Sequence, residues 1–203
     1  AEGLTINGSG IAGSGALTNS YANTITYTGA IVLGSASSIS STGTLNLTGI
    51  ISGSNSLTKT GTGTVSLSAI NTFTGGVTLN SGTLNINNSQ ALGTVDGTFT
   101  INGGSINNTS SATVITLGYP VALNANFTFI GSRSLNLGTG SVTLNADRQV
   151  TTNANTLTIG GPISASAFSL TKAGAGTLNL GTSSIALKNL TITTGTVVST
   201  SGI

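Results

Sequence analysis

Apolar and small polar residues alternate along this chain in pieces of three to five. Examples are "TITYT" at 24–28, "TLNL" at 44–47, "TVSLS" at 64–68, "VTLN" at 77–80, "TLNIN" at 83–87, "TFTIN" at 98–102, "SVTLN" at 141–145 and "NLTIT" at 189–193. A period of two places Leu, Ile, Val or Phe on one side of an extended strand and Thr, Ser or Asn on the other. Gly, Asn and Ser fill the gaps, where turns need positive φ or a local side-chain hydrogen bond. No stretch carries a 3.6-residue stripe, and strong helix formers such as Glu, Lys, Arg and Met are nearly missing. The pattern predicts an all-β protein.

A repeat selects among the all-β architectures. "SLTKTGTGTVSLS" at 56–68 returns as "SLTKAGAGTLNLG" at 169–181, an offset of 169 − 56 = 113 residues. A sandwich has no reason to restate such a phrase, and a barrel of short strands would show evenly spaced hairpin turns. Self-similarity combined with short strands predicts a β-solenoid, a right-handed parallel β-helix. With roughly 20 to 25 residues per coil the 113-residue offset is about five coils and the chain about nine. At ~4.8 Å per coil the rod is roughly 40 to 45 Å long. The chain is expected to be a single solenoid over 1–203, built of two related modules at approximately 1–110 and 111–203.

The two phrases supply the expected structural positions. Leu57, Val65 and Leu67 in the first copy, with Leu170, Leu178 and Leu180 in the second, are the expected core. Gly61, Gly63, Gly174 and Gly176 are expected to turn the corner between strands, where a Cβ would clash. Lys59 and Lys172 hold equivalent places. They are expected to lie along a coil corner with the ammonium in water, discouraging sideways strand pairing, rather than to form an anion-binding row. Asn near the corners is expected to stack its amides in ladders.

Composition narrows the function. The 203 residues include 30 Gly and 2 Pro, with only 4% charged and 4% aromatic side chains. Hydroxyls and amides must therefore solvate the surface. The net charge of +2 comes from cations scattered singly, without the basic face that phosphate recognition needs, so no nucleic-acid partner is expected. The longest apolar run, "AIVL" at 30–33, is far short of a membrane-spanning helix. With no Cys, disulfides and thiolate metal sites are excluded.

Catalytic chemistry has little to work with. There is no His, Cys or Trp, and the acids are Glu2, Asp96 and Asp147, whereas glycoside hydrolysis needs two facing carboxylates. Asp147 reads as a surface charge pair with Arg148. A G-G-x-G-x-D calcium repeat would need a recurring Asp. "GSGIAG" at 8–13 lacks the strand-then-helix setting of a dinucleotide fingerprint and reads as a turn. Phe73, Phe99, Phe127, Phe129 and Phe168, each alone in a strand pattern, read as core rather than a sugar-stacking platform. Thr-x-Thr pairs such as Thr24 with Thr26 do not recur at a fixed sequence period, which argues against an ice-binding face. No enzyme activity, cofactor, metal or small-molecule substrate is expected.

The chain resembles a known family, the autotransporter-associated β-strand repeat of bacterial surface and secreted proteins. The segment that carries the likeness is "GIISGSNSLTKTGTGTVSLSAINTFTGGVTLNSGTL" at 49–84, with "NNSQALGT" at 87–94 and "LTINGSGIAGSGALTN" at 4–19. The second copy departs from the family pattern after Leu180, where "GTSSIALKNLTITTGTV" replaces the Asn-Thr-Phe-Thr-Gly-Gly turn, and its last coils are expected to be shaped differently. The resemblance implies a parallel β-helix in the passenger of an exported protein, with motif positions that are structural. It implies an extracellular or bacterial cell-surface location.

The ends are the remaining candidates. "LTITTGTVVSTSGI" at 190–203 contains no charge, and "GLTINGSGI" at 3–11 has only Glu2 beside it. Open sheet edges are usually capped or defended by charge. Leu4 and Ile6 at one end and Val197 and Val198 at the other are expected to stack head to tail. The expectation is a fibre subunit or stalk segment that self-associates. The alternative is an adhesive passenger contacting glycans or proteins of a host or neighbouring cell.

Overall fold

A computed structural model describes residues 2–200, which form a parallel β-solenoid with no α-helix among them. The strands fall on three walls. The first carries Leu4–Gly8, Ile31–Ser41, Leu57–Thr60, Val77–Leu79, Phe99–Ile101, Val121–Leu123, Val142–Leu144, Ile163–Ala165 and Ile185–Leu187 in spatial order. The second carries nine strands from Thr24–Tyr27 to Leu190–Ile192. Each later strand lies parallel on the one before it, so nine stacked strands are about nine coils.

The third wall is regular at both ends of the rod and irregular between them. Val114–Ile115, Leu135–Asn136, Thr156–Thr158, Thr177–Asn179 and Thr196–Val198 make a five-stranded sheet in the C-terminal half. In the first coils the same side carries Leu4, Ile31 and Ile51 in parallel register; after Ile51 it is closed by irregular chain, and a side chain takes over part of the ladder. Asn71, 1% exposed, accepts the Ile51 N–H at 2.8 Å and donates Nδ2 to the Ala91 carbonyl at 2.7 Å. One amide thus links three successive coils, beside the backbone bonds from Thr72 N–H to the Ile51 carbonyl and from Asn71 N–H to the Gln90 carbonyl.

Alternation fills the interior. Leu57, Val77, Phe99, Val121, Val142 and Ile163 follow one another in register up the first wall and are all buried. Leu45, Val65, Leu84 and Ile106 do the same on the second. All six expected core positions, Leu57, Val65, Leu67, Leu170, Leu178 and Leu180, are at most 2% exposed. Of the phenylalanines, Phe73, Phe99, Phe127 and Phe129 are buried and Phe168 packs half-buried against the core.

That register gives the 113-residue offset a different meaning from a whole number of coils. Five coils above Leu57 lies Ile163, still on the first wall. The repeated phrase starts again at Leu170, one strand later and on the second wall. Its first copy runs from wall one to wall two and its second from wall two to wall three, so the repeated object is a corner and not a coil.

The corner glycines behave as their spacing predicts. Gly61 and Gly174 have φ of +75° and +80°. Gly63 has an ordinary φ, yet a Cβ there would lie 2.2 Å from the Gly43 carbonyl oxygen of the coil below. Close approach fixes that position, while backbone handedness fixes the other two.

Candidate functional site

The two lysines of the repeated phrase are inside the rod. Lys59 stands in an inward column between Ile39 and Leu79, and Lys172 between Val150 and Ile192. They are 2% and 0% exposed. The expectation of ammonium groups held in water at a corner is therefore overturned. Lys59 Nζ donates to the carbonyls of Thr60 at 2.7 Å, Gly61 at 2.9 Å and Ser81 at 3.1 Å. Lys172 Nζ repeats this with Ala173 at 2.8 Å, Gly174 at 2.6 Å and Thr194 at 3.1 Å. The tight turn points its carbonyls inward, and three ammonium protons meet three of them. The next coil must leave room for this group: a Cβ on Gly82 would sit 2.7 Å from Lys59 Nζ, and one on Gly195 would sit 2.6 Å from Lys172 Nζ.

Burial lowers both lysines, Lys59 to about 8, because a charge loses hydration in the interior. It also raises Tyr119 to about 12. The Tyr119 hydroxyl lies in the core 2.7 Å from the Gly93 carbonyl, to which it donates.

Other buried amides close corners in a second way. Asn19 donates Nδ2 to the carbonyls of Asn23 and Thr44 and accepts the Tyr21 N–H. Asn108 donates to Ala112 and Ser134 and accepts the Ser110 N–H. These are the same arrangement at two different corners, without a shared sequence phrase to announce it. On the rod's outside, Asn80, Asn102 and Asn124 form an amide ladder with contacts of 2.9 and 3.1 Å.

The acids are engaged locally. Asp96 accepts the Thr94 hydroxyl, and Asp147 accepts the Ser169 N–H of the next coil at 2.8 Å. Arg148 does not pair with the Asp147 carboxylate as the sequence suggested; it donates to the Leu123 and Asp147 carbonyls and to Asn145 Oδ1. No cluster of three metal-ligating side chains occurs among the described residues. "GSGIAG" forms a short 3₁₀ turn at Ile11–Gly13, with Gly8, Gly10 and Gly13 at positive φ.

A concave surface lies on the outside of the second wall, a groove of about 630 Å³. Register stacks Thr24, Thr44, Thr64 and Thr83 in one column. Thr26, Asn46, Ser66, Asn85 and Asn107 form the next, and Thr48, Ser68, Asn87 and Thr109 line the far side. The Thr24 and Thr26 pair therefore belongs to an array of hydroxyls and amides. Coil lengths vary slightly and Asn or Ser substitutes for Thr within a column, which hides the order from a search for identical residues. The floor deepens along the rod: Thr26 is exposed, while Ser66, Asn85 and Asn107 are 3%, 7% and 4% exposed.

At the ends, Leu187, Leu190 and Val197 are half-buried against the last of the core, and Leu4 and Leu17 against the first. Of the four proposed stacking residues, Leu4 and Val197 are half-buried, Ile6 is buried and Val198 is 40% exposed. Ile185–Leu187, Leu190–Ile192 and Thr196–Val198 each have a parallel partner on one side only among the described residues.

Residues 57–86 match the family model described as a passenger-associated-transport-repeat. They begin at the Lys59 corner, pass through the Asn71 bridge and end on the second wall at Ile86. This match and the solenoid of about nine turns fit an autotransporter-associated repeat protein. The chain matches no curated protein and no solved structure.

Proposed function

We propose that this chain is a non-catalytic rod segment of an exported, surface-displayed passenger, and that the rod extends through its open coil ends, by stacking on a second copy or on adjoining coils. The passenger-type repeat over 57–86 supports the class and the location. The observation that carries the structural role is the set of terminal strands Ile185–Leu187, Leu190–Ile192 and Thr196–Val198, whose outer edges are unpaired among the described residues and stand above half-buried Leu187, Leu190 and Val197. Parallel edges of this kind accept another strand through main-chain hydrogen bonds. A head-to-tail contact that does not close on itself gives an open filament.

Electron microscopy of the purified chain tests the stacking. Unbranched fibres with a ~4.8 Å axial repeat that disappear in Val197→Lys, while circular dichroism stays unchanged, support self-stacking. Fibres that survive edge charges sink it. Discrete short rods assign the chain to a stalk segment extended by its own adjoining coils.

A further inference from the structure

We propose that the groove on the second wall is a binding site for a linear, uncharged glycan lying along the rod axis. This rests on the groove alone and holds whether or not the ends stack.

Three observations point to that ligand. The first is the chemistry of the lining. Every residue of the groove except Ile130 presents a hydroxyl or a side-chain amide, and none is charged. Such groups both donate and accept, as sugar hydroxyls do. An anionic ligand would find no cation to pair with. An extended peptide would find no pockets for alternate side chains, which are what give strand-like recognition its specificity.

The second is an unsatisfied group. Asn85, only 7% exposed at the floor, donates Nδ2 to Ser66 Oγ at 2.9 Å but leaves Oδ1 without a partner. The neighbouring Asn107 uses both ends of its amide, on Ser132 Oγ and the Ser132 N–H. A buried acceptor left unpaired is costly; Oδ1 is closed off from the surface in the free rod, so a ligand hydroxyl supplies the missing donor only on a turn of the Asn85 side chain toward the groove.

The third is spacing. Equivalent hydroxyls in a column recur once per coil, about every 4.8 Å, close to the length of one β-linked pyranose unit. Successive β-1,4-linked units are flipped about the chain axis, so a column offers one hydroxyl per sugar and meets the same face of the sugar at every second coil. The groove spans five coils, from Thr24 to Thr109, enough for about five sugars at one per coil.

The test is a heteronuclear NMR titration of the full chain with four hexasaccharides: β-1,4-linked glucose, β-1,4-linked N-acetylglucosamine, α-1,4-linked glucose and, as the charged comparison, α-1,4-linked galacturonate. A Ser-Gly dodecapeptide is the polypeptide comparison. The expected result is saturable amide shifts confined to the second wall with at least one neutral sugar and none with galacturonate. The triple variant Thr44→Val, Thr64→Val, Thr83→Val removes three of the four hydroxyls of one column without changing side-chain shape and suits a strand. It should weaken that binding about tenfold or more, as expected for several lost hydrogen bonds, with the remaining spectrum preserved. The proposal is overturned if no neutral sugar binds at 10 mM, if galacturonate or the peptide binds instead, or if the variant binds unchanged. Should the variant misfold, Asn46→Leu, on an outward and half-buried side chain, reads out the same loss.

Discussion

Lys59 and Lys172 direct their ammonium groups to carbonyls one, two and twenty-two residues further along the chain, yet they stand on different walls of the rod. The hydrogen-bond set belongs to the phrase and not to the wall. It ties a turn to the turn of the next coil, so each lysine is a rivet between coils as well as a lid on its own corner.

Replacing Lys59 with Met keeps the volume and removes the donors. The carbonyls of Thr60 and Ser81 then lose the ammonium donor, whereas that of Gly61 keeps the Ser81 hydroxyl. Loss of a buried partner costs about 1 to 3 kcal/mol per group, offset in part by the ion no longer buried. We expect Lys59→Met to lower stability by about 2 kcal/mol, and Lys172→Met to do the same, measured by urea unfolding at neutral pH.

Stability should peak near pH 10. Lys59, held at about 8 when folded, binds its proton less tightly than in the unfolded chain near 10.5. Between these values the unfolded state carries more protons, so stability rises with pH, and the lowered Lys172 acts in the same sense. Tyr119 acts oppositely. Its folded pKa of about 12 exceeds the ordinary 10.0, so its contribution is complete below pH 10 and is lost as pH climbs to 12. Urea midpoints at pH 7.5, 9, 10 and 11.5 read the curve. A rising limb that is as steep in the Lys59→Met, Lys172→Met double variant would refute the assignment.

The corner is predicted to be portable. Thr60→Ala with Thr62→Ala converts "KTGTG" into the "KAGAG" of the second copy. Thr60 Oγ1 makes only a long 3.5 Å contact with the Ile39 carbonyl, so the double variant should stay within about 0.5 kcal/mol of the parent. A loss beyond 2 kcal/mol would mean that each corner is fitted to its wall.

Asn71 should be among the most sensitive polar positions. Asn71→Ala orphans the Asn71 contacts to the Ile51 N–H and the Ala91 carbonyl, both buried, and should cost about 2 to 4 kcal/mol. Asn46→Ala, on an outward and half-buried side chain, should cost less than about 1 kcal/mol. Equal losses would remove the bridging role.

Much of this architecture is legible in the residues themselves. Period-two alternation marks which of Leu57, Val65 and Leu67 point inward, because a strand offers only two faces. The coil count follows from the chain length and the roughly 20 to 25 residues usual for a solenoid coil. The phase was hidden: an offset of 113 is near five coils, and nothing in the letters says which wall Leu170 joins. The lysines were misplaced because a Lys in a strand pattern is ordinarily exposed, and the carbonyls that draw Lys59 inward belong to a turn whose shape depends on Gly61. The groove was invisible for a related reason. Thr26, Asn46, Ser66 and Asn85 share a column but not a residue type, and Asn85 is buried by the curvature of the wall, which no local pattern encodes. Asn71 lay within the recognised "NTFTGG" turn, where its type fits a bend equally well as a bridge.

Because the same corner can join the first wall to the second or the second to the third, such a rod can lengthen during recombination by a third of a turn. Each such step advances the tip by a fraction of the pitch and rotates everything beyond it by roughly 120°. Two related rods of almost equal length could then display the same side chains at different azimuths to whatever lies beside them.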